Sequence, residues 1–225
     1  MARIHAVNLS TDASGAARGG SQGHVVVVVD IIDMSTTLEA ALDAGAVAVF
    51  GASPDGAAPP VQVDPEAVGR LAGNLAVREK TDVVVVAEPR VGDDELRAGR
   101  NTRVVKGIKD AGAGVGLIVP NLGAETARLV DFGGRVVVAA TGTGGVAYDA
   151  ALAAGAAAVT TATVARTMVK KGFAPARAGA ARALELARAT GAGITVVAAS
   201  GNSLEDVLAA EYIARLILED SLSRR

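Results

Sequence analysis

The chain has 225 residues, with 22 basic and 24 acidic side chains, 2% aromatic residues and no cysteine. This composition excludes disulfides, thiolate catalysis and cysteine–zinc sites, and it offers neither a basic nor an aromatic surface for nucleic acid. No apolar run reaches the length of a membrane span and no signal-peptide pattern opens the chain. We therefore expect a cytoplasmic protein without nucleic-acid or membrane partners.

Strands and helices are predicted to alternate along the chain. Two polar segments, Thr11–Gly23 and Pro89–Arg103, are predicted loops, and the first of them is expected to be mobile. Seven apolar runs are predicted strands: Val25–Val29, Val47–Phe50, Val83–Ala87, Gly116–Val119, Val136–Ala139, Val159–Thr161 and Thr195–Ala198. Because the valine-rich runs show no polar alternation, their strands should be buried on both faces, as in a largely parallel sheet.

The sequence repeats itself after about 110 residues. Val26–Val49 lies over Val136–Val159 without a gap, with 11 of 24 positions identical. Val84–Ala98 lies in the same way over Val196–Ala210, at a shift of 112 residues. In both alignments the order of strand, loop and helix is preserved, which indicates an internal duplication.

The duplication predicts the architecture and the place of a ligand. We expect one domain over residues 1–225, built from homologous halves at about 1–110 and 111–225. Its fold should be three-layer α/β/α with a largely parallel or mixed central sheet. Ligands of such sheets bind beyond the carboxyl ends of the strands, so the loops at those ends are expected to converge on one crevice.

Asp30 directly follows the strand Val25–Val29 and precedes a predicted helix that opens at Ser35, Thr36 and Thr37. In one interpretation Asp30 only caps this helix or pairs with an arginine. In the other it is a carboxylate ligand for Mg²⁺, while the helix N-terminus and the hydroxyl groups hold a phosphate. The position at the end of a parallel strand favours the second interpretation.

A glycine-rich loop containing Gly142, Thr143 and Gly144 follows another predicted strand and opens a helix. Its likeness to the dinucleotide fingerprint G-x-G-x-x-A is a weak signal, because the next strand ends without an acid to bind a ribose. Binding of an anion by backbone N–H groups and simple close packing of the helix are both open.

Charged residues also stand at two further strand ends. Glu88 and Arg90 follow one predicted strand, and Arg90 could clamp an anionic substrate. Glu205 and Asp206 open the last predicted helix. Ser203 and Asp206 form a pattern similar to a capping box, which leaves Glu205 freer to serve a site.

Four segments, in this order, resemble motifs of the 2-phosphosulfolactate phosphatase family of coenzyme M biosynthesis. The family signature D-V-L-R-A-T-T-T, with its A-L-x-x-G-A helix end, is similar to Asp30–Ala46, and the Gly-Glu-Arg loop is similar to Ala87–Arg90. The T-T-N-G-T loop is similar to Ala139–Thr143, and the closing F-S-L-E-D-V-L-x-A-G is similar to Asn202–Glu211. The resemblance spans almost the whole chain and implies a Mg²⁺-dependent phosphatase with an α/β/α fold.

The chain departs from the family pattern at two positions that bear on the substrate. Asp33 stands at the signature arginine, and Thr141 stands at the asparagine of T-T-N-G-T. The retained residues suit a metal and a phosphate, whereas the changed ones suit recognition of a second anionic group. The alternative to a phosphatase is therefore a non-catalytic anion- or metabolite-binding protein on the same scaffold.

We expect a Mg²⁺-dependent phosphatase of a small phosphorylated metabolite, and the sequence is compatible with a homo-oligomer. The expected catalytic residues are Asp30, Glu205 and Asp206, and the expected metal ligands are Asp30 and Glu88. The expected substrate-binding residues are Ser35, Thr36, Thr37, Arg90, Gly142, Thr143 and Gly144. Attack by metal-activated water and a phosphoaspartyl route through Asp30 are both open.

Overall fold

The computed structural model describes residues 6–223. Its strands are β1 (Val7–Thr11), β2 (Val25–Val29), β3 (Ala48–Ala52), β4 (Val83–Ala87), β5 (Val115–Pro120), β6 (Val136–Ala140), β7 (Ala158–Thr161) and β8 (Ile194–Ala198). Its helices are α1 (Asp12–Ser21), α2 (Met34–Asp43), α3 (Pro65–Glu79), α4 (Asp94–Gly99), α5 (Thr102–Asp110), α6 (Gly144–Ala153), α7 (Ala174–Thr190) and α8 (Leu204–Ser223), with a 3₁₀ helix at Gly123–Arg128. The fold class is α/β, as predicted.

The strands form two four-stranded sheets in which every pairing is parallel. Their orders are β1-β8-β2-β7 and β5-β4-β6-β3. The two sheets correspond strand by strand, because a shift of about 110 residues carries β1, β2, β3 and β4 onto β5, β6, β7 and β8. The predicted α/β/α layering and the two similar halves are confirmed, with two parallel sheets in place of a single central sheet, and each sheet contains strands from both halves.

Helices cover both faces of each sheet. Helices α2 and α6 lie between the sheets, where their side chains share one core with Val28 of β2 and Val137 of β6. Helices α7 and α8 cover the outer face of the sheet containing β2, and α3 and α5 cover that of the sheet containing β6. The four strands β2, β4, β6 and β8 are buried throughout, as runs without polar alternation require. Within residues 6–223, no helix is long and apolar enough to cross a membrane.

The prediction of a mobile loop at Thr11–Gly23 is wrong, because this segment contains α1. Its glycines serve close packing. A Cβ atom on Gly20 would lie 2.5 Å from the Ala151 carbonyl oxygen of α6, and one on Gly19 would lie 2.9 Å from the Thr195 Cβ of β8. Without side chains at these positions, α1 lies directly against α6 and β8.

The predicted loop Pro89–Arg103 likewise contains a short helix, α4. Asp93 caps this helix by accepting a hydrogen bond from the Leu96 N–H at 2.7 Å. Arg97 anchors it, because its buried guanidinium donates to the carbonyl oxygens of Pro89 and Gly92. The polar composition that indicated a loop therefore belongs to a capped and anchored turn of helix.

We predict that Gly20→Ala lowers the free energy of unfolding by about 1–3 kcal/mol, because the added methyl group would push α1 away from α6. Gly99→Ala is the matched control, since no atom lies within 4 Å of a Cβ built at this position of α4. Urea denaturation of both variants makes the comparison. Equal effects on stability in the two variants would show that the close approach of α1 and α6 is unimportant.

Candidate active site

Asp30 lies at the carboxyl end of β2, where only 2% of its surface is exposed. Its Oδ2 atom accepts hydrogen bonds from the Thr143 hydroxyl at 2.9 Å and from the Gly144 N–H at 2.7 Å. Its Oδ1 atom accepts one from the Asp33 N–H at 3.2 Å. A Cβ on Gly144 would lie 2.3 Å from Oδ2, so this approach requires glycine. The carboxylate of Asp30 therefore lies at the start of α6, as an anion at a helix N-terminus does.

Burial raises the pKa of Asp30 to about 6, and the negative charges of Asp33 and Asp206 act in the same direction. The hydrogen bonds from Thr143 and Gly144 oppose this shift, because they favour the charged carboxylate. A carboxyl group with this pKa exchanges its proton close to neutral pH. Such a group suits proton transfer or nucleophilic attack, and it gains stability from a nearby cation.

Two further acids share this region. Glu88, at the carboxyl end of β4, is half-buried, and burial followed by the charge of Asp33 raises its pKa. Arg90 and Arg100 act against this rise. Asp33 therefore lies within electrostatic reach of both Asp30 and Glu88. The ends of β2 and β4, which belong to different sheets, thus meet as the duplication predicts.

The structure brings Asp206, rather than Glu205, towards Asp30. Asp206 is buried, and its Oδ1 atom accepts a hydrogen bond from the Ile31 N–H at 2.8 Å. Its own N–H donates to the Ser203 hydroxyl at 3.2 Å, as in the helix cap that the sequence indicates. Burial is also the largest cause of its raised pKa. Glu205 is exposed at the first turn of α8.

The hydroxyl groups of Ser35, Thr36 and Thr37 bond to protein atoms around the turn between β2 and α2. Ser35 accepts from the Asp30 N–H at 2.8 Å and donates to the Val28 carbonyl at 3.0 Å. Thr36 donates to the Ile31 carbonyl at 2.6 Å, and Thr37 contacts the Asn121 side-chain carbonyl. All three residues are buried. Their contacts fix the turn between β2 and α2.

Arg90 and the loop before α6 have equally specific contacts. The Arg90 guanidinium forms an ion pair with Asp33 and donates to the Ile32 carbonyl at 3.1 Å. The buried Thr141 hydroxyl accepts a hydrogen bond from the Gly145 N–H at 2.8 Å. Gly142 is exposed. Asp33, which stands where the resembled signature has arginine, is therefore paired with an arginine from another loop.

A cavity of about 520 Å³ adjoins this cluster and is lined by Glu88, Arg100, Gly142 and the loop at residues 54–59. Its volume suits a small metabolite. A larger groove of about 910 Å³ lies between α4, α5 and β5, but no predicted site residue lines it. We therefore place the candidate site at the smaller cavity, because Glu88, whose pKa is raised, lines it together with Gly142 of the loop before α6.

Sequence reasoning missed two polar residues at this edge, Arg100 and Asn121. Arg100 lines the cavity next to Glu88, and the sequence shows it only as one of several charges in a polar segment. Asn121 directly follows β5, and that position after an apolar strand was the available signal. Its side-chain oxygen contacts Thr37, whereas its buried Nδ2 atom has no hydrogen-bond partner.

Within residues 6–223, no group of three or more His, Cys, Asp and Glu side chains is arranged to hold a metal ion. Mg²⁺ needs fewer protein ligands, because it keeps several waters and commonly binds one or two carboxylates together with substrate oxygens. Asp30 and Glu88 are the two carboxylates that the sequence predicts for this role. Oδ1 of Asp30 accepts only one hydrogen bond, and a cation would offset the repulsion that both carboxylates receive from Asp33.

Comparisons with known proteins assign no family to the chain. A scan against protein-family models, a search of curated proteins and a search of solved structures each found no match. The resemblance to the 2-phosphosulfolactate phosphatases stays a prediction, and the function has to be inferred from the cluster around Asp30.

Proposed function

We propose that the chain is a Mg²⁺-dependent phosphoric monoester hydrolase that acts on a small phosphorylated metabolite. The observation that carries this proposal is the buried carboxylate of Asp30 at the end of β2, with its pKa raised to about 6 among other acids. Such a cluster is costly unless it serves a cation or a proton transfer. The resemblance of the surrounding motifs to a phosphatase family selects the reaction class.

Asp30 and Glu88 would hold the metal, which when bound supplies positive charge to offset the charge of the phosphoryl oxygens. Thr143 and Gly144 orient Asp30 through Oδ2, so Oδ1 is the oxygen with remaining lone-pair capacity. Asp30 acts either as the base for a water molecule or as the nucleophile. Arg100 would attract the anionic substrate into the cavity beside Glu88.

A specific observation favours a second candidate, a non-catalytic anion- or metabolite-binding protein. Two backbone N–H groups at the start of α6, where a phosphate was expected, are already bonded to the protein, since Gly144 donates to Asp30 and Gly145 donates to Thr141. In this candidate Arg100 would contact the ligand in the cavity, and Asp30 would serve as the cap of α6. The two candidates differ in turnover, and both bind an anion.

A panel of phosphate monoesters, including an aryl phosphate and small phosphorylated carboxylic acids, tests the proposal. We expect the purified chain to release inorganic phosphate from at least one of them with Mg²⁺, and to lose this activity when EDTA removes the metal. Turnover with none of them, together with a higher melting temperature in the presence of a phosphorylated compound, would support the binding protein instead.

A further inference from the structure

Helix α8 exposes three leucines on the face opposite to the core. Its inner face is buried against the sheet through residues such as Ala210, Ile213 and Ile217. On the outer face, Leu204 is 68% exposed, Leu208 54% and Leu218 44%. Single exposed apolar residues are ordinary, but a row of leucines along one helix indicates a surface that another chain covers.

The outer residues follow one another in an order that is complementary to itself. Leu208, Glu211, Arg215 and Leu218 are spaced three, four and three residues apart, so they lie on one stripe of the helix. The stripe is symmetric about position 213. Leu208 and Leu218 lie five residues on either side of this position, and Glu211 and Arg215 lie two residues on either side. Two antiparallel copies of this stripe would therefore match leucine with leucine and Glu211 with Arg215.

We propose that this stripe is a homodimer interface in which α8 packs antiparallel against α8 of a second copy, across a twofold axis at position 213. Glu211 and Arg215 already form an ion pair within the helix. In the dimer, Glu211 of each copy would face Arg215 of the other. The leucines at both ends of the stripe would exclude water from these charges. A twofold interface of this kind needs a self-complementary patch, which the stripe provides.

Neighbouring residues extend the apolar part of the patch. Phe173, at the start of α7, is 69% exposed, and its ring lies 6.1 Å from the ring of Tyr212 on α8. The acids Glu205 and Glu219 lie to one side of the stripe, where they stay in solvent. From Leu208 to Leu218 the stripe is about 15 Å long. This is a small contact, so we expect a dissociation constant in the micromolar range.

The charge order permits a test that separates this interface from any other. Arg215→Glu would bring four acids together at the twofold axis, and Glu211→Arg would bring four bases together. We expect each variant alone to dimerise at least tenfold more weakly than the wild type in sedimentation velocity. An equimolar mixture should recover the dimer, because the two acids on the stripe of one variant would face the two bases on the stripe of the other.

Arg78→Glu, the same charge reversal at an exposed position of α3, is the matched control and should leave dimerisation unchanged. All of these positions are on the surface, and circular dichroism checks that the variants are folded. A wild-type chain that stays monomeric at 300 μM would overturn the proposal. A dimer that persists in both single variants would overturn it as well, because that dimer would use another surface, and so would a mixture that stays monomeric.

Discussion

Asp30→Asn is expected to lower the rate constant of Mg²⁺-dependent phosphate release by about 10²–10³-fold or more. The asparagine keeps an oxygen for the Thr143 hydroxyl and the Gly144 N–H, but it loses the charge that would bind a cation and the basicity that the reaction requires. The fold should remain, because burial penalises the charged form of Asp30 in the native state. Steady-state phosphate release at saturating Mg²⁺ measures the effect.

Glu205→Gln is the matched control for this experiment. Both variants remove one negative charge from a residue that the sequence assigns to catalysis. Glu205 is exposed on α8, whereas Asp206 carries the buried contact to Ile31. We therefore expect Glu205→Gln to keep nearly the wild-type rate. An Asp30→Asn variant with full activity would remove Asp30 from the reaction, and a loss confined to Glu205→Gln would place the chemistry elsewhere.

Arg182→Met is expected to destabilise the chain by about 3–5 kcal/mol, because it leaves a buried carboxylate without its partner. Glu39 of α2 is fully buried and pairs with the guanidinium of Arg182, which also donates to the Thr161 carbonyl at 2.7 Å. The second carboxylate oxygen of Glu39 has no hydrogen-bond partner. Chemical denaturation measures the loss. Arg177→Met, at an exposed position of the same helix, should change stability by less than about 0.5 kcal/mol.

The same variant should show a pH dependence of known sign. Burial raises the pKa of Glu39 above its ordinary value of 4.5, against the opposing charge of Arg182. Without the arginine the pKa rises further, so the folded chain holds this proton at pH values where the unfolded chain has lost it. Stability of Arg182→Met should therefore fall as pH rises above about 4.5 and recover on acidification. Adding Glu39→Gln should restore much of the loss, and a double variant as unstable as Arg182→Met would contradict this explanation.

Much of the fold could be predicted because its strands are continuous apolar runs. The runs at β2, β4, β6 and β8 are buried on both faces, and the duplication indicated two similar halves. Strand β1 was missed because it is an edge strand with polar residues and an exposed Leu9. Helix α1 was missed because glycines that indicate a loop in sequence permit close helix packing in three dimensions.

The candidate site could be predicted only in part, since a strand-end acid is visible in sequence but its partners are not. Asp30 was found from its position after five valines. Its bond to Gly144 joins residues 114 positions apart, which no local pattern reveals. The acids at equivalent positions of the two halves, Glu39 and Asp149, also have partners that the sequence does not reveal. Glu39 holds an arginine, whereas its counterpart Asp149 accepts hydrogen bonds from the N–H groups of Ser53 and Asp64.

The proposed metal site at Asp30 and Glu88 is tested most directly by calorimetric titration of the metal-free chain with Mg²⁺ in the presence of orthovanadate, an analogue of phosphate. We predict that one ion binds per chain and that Asp30→Asn and Glu88→Gln each weaken its binding by about tenfold or more. A wild-type chain that binds no Mg²⁺ under these conditions, or unchanged binding in both variants, would contradict the proposed site.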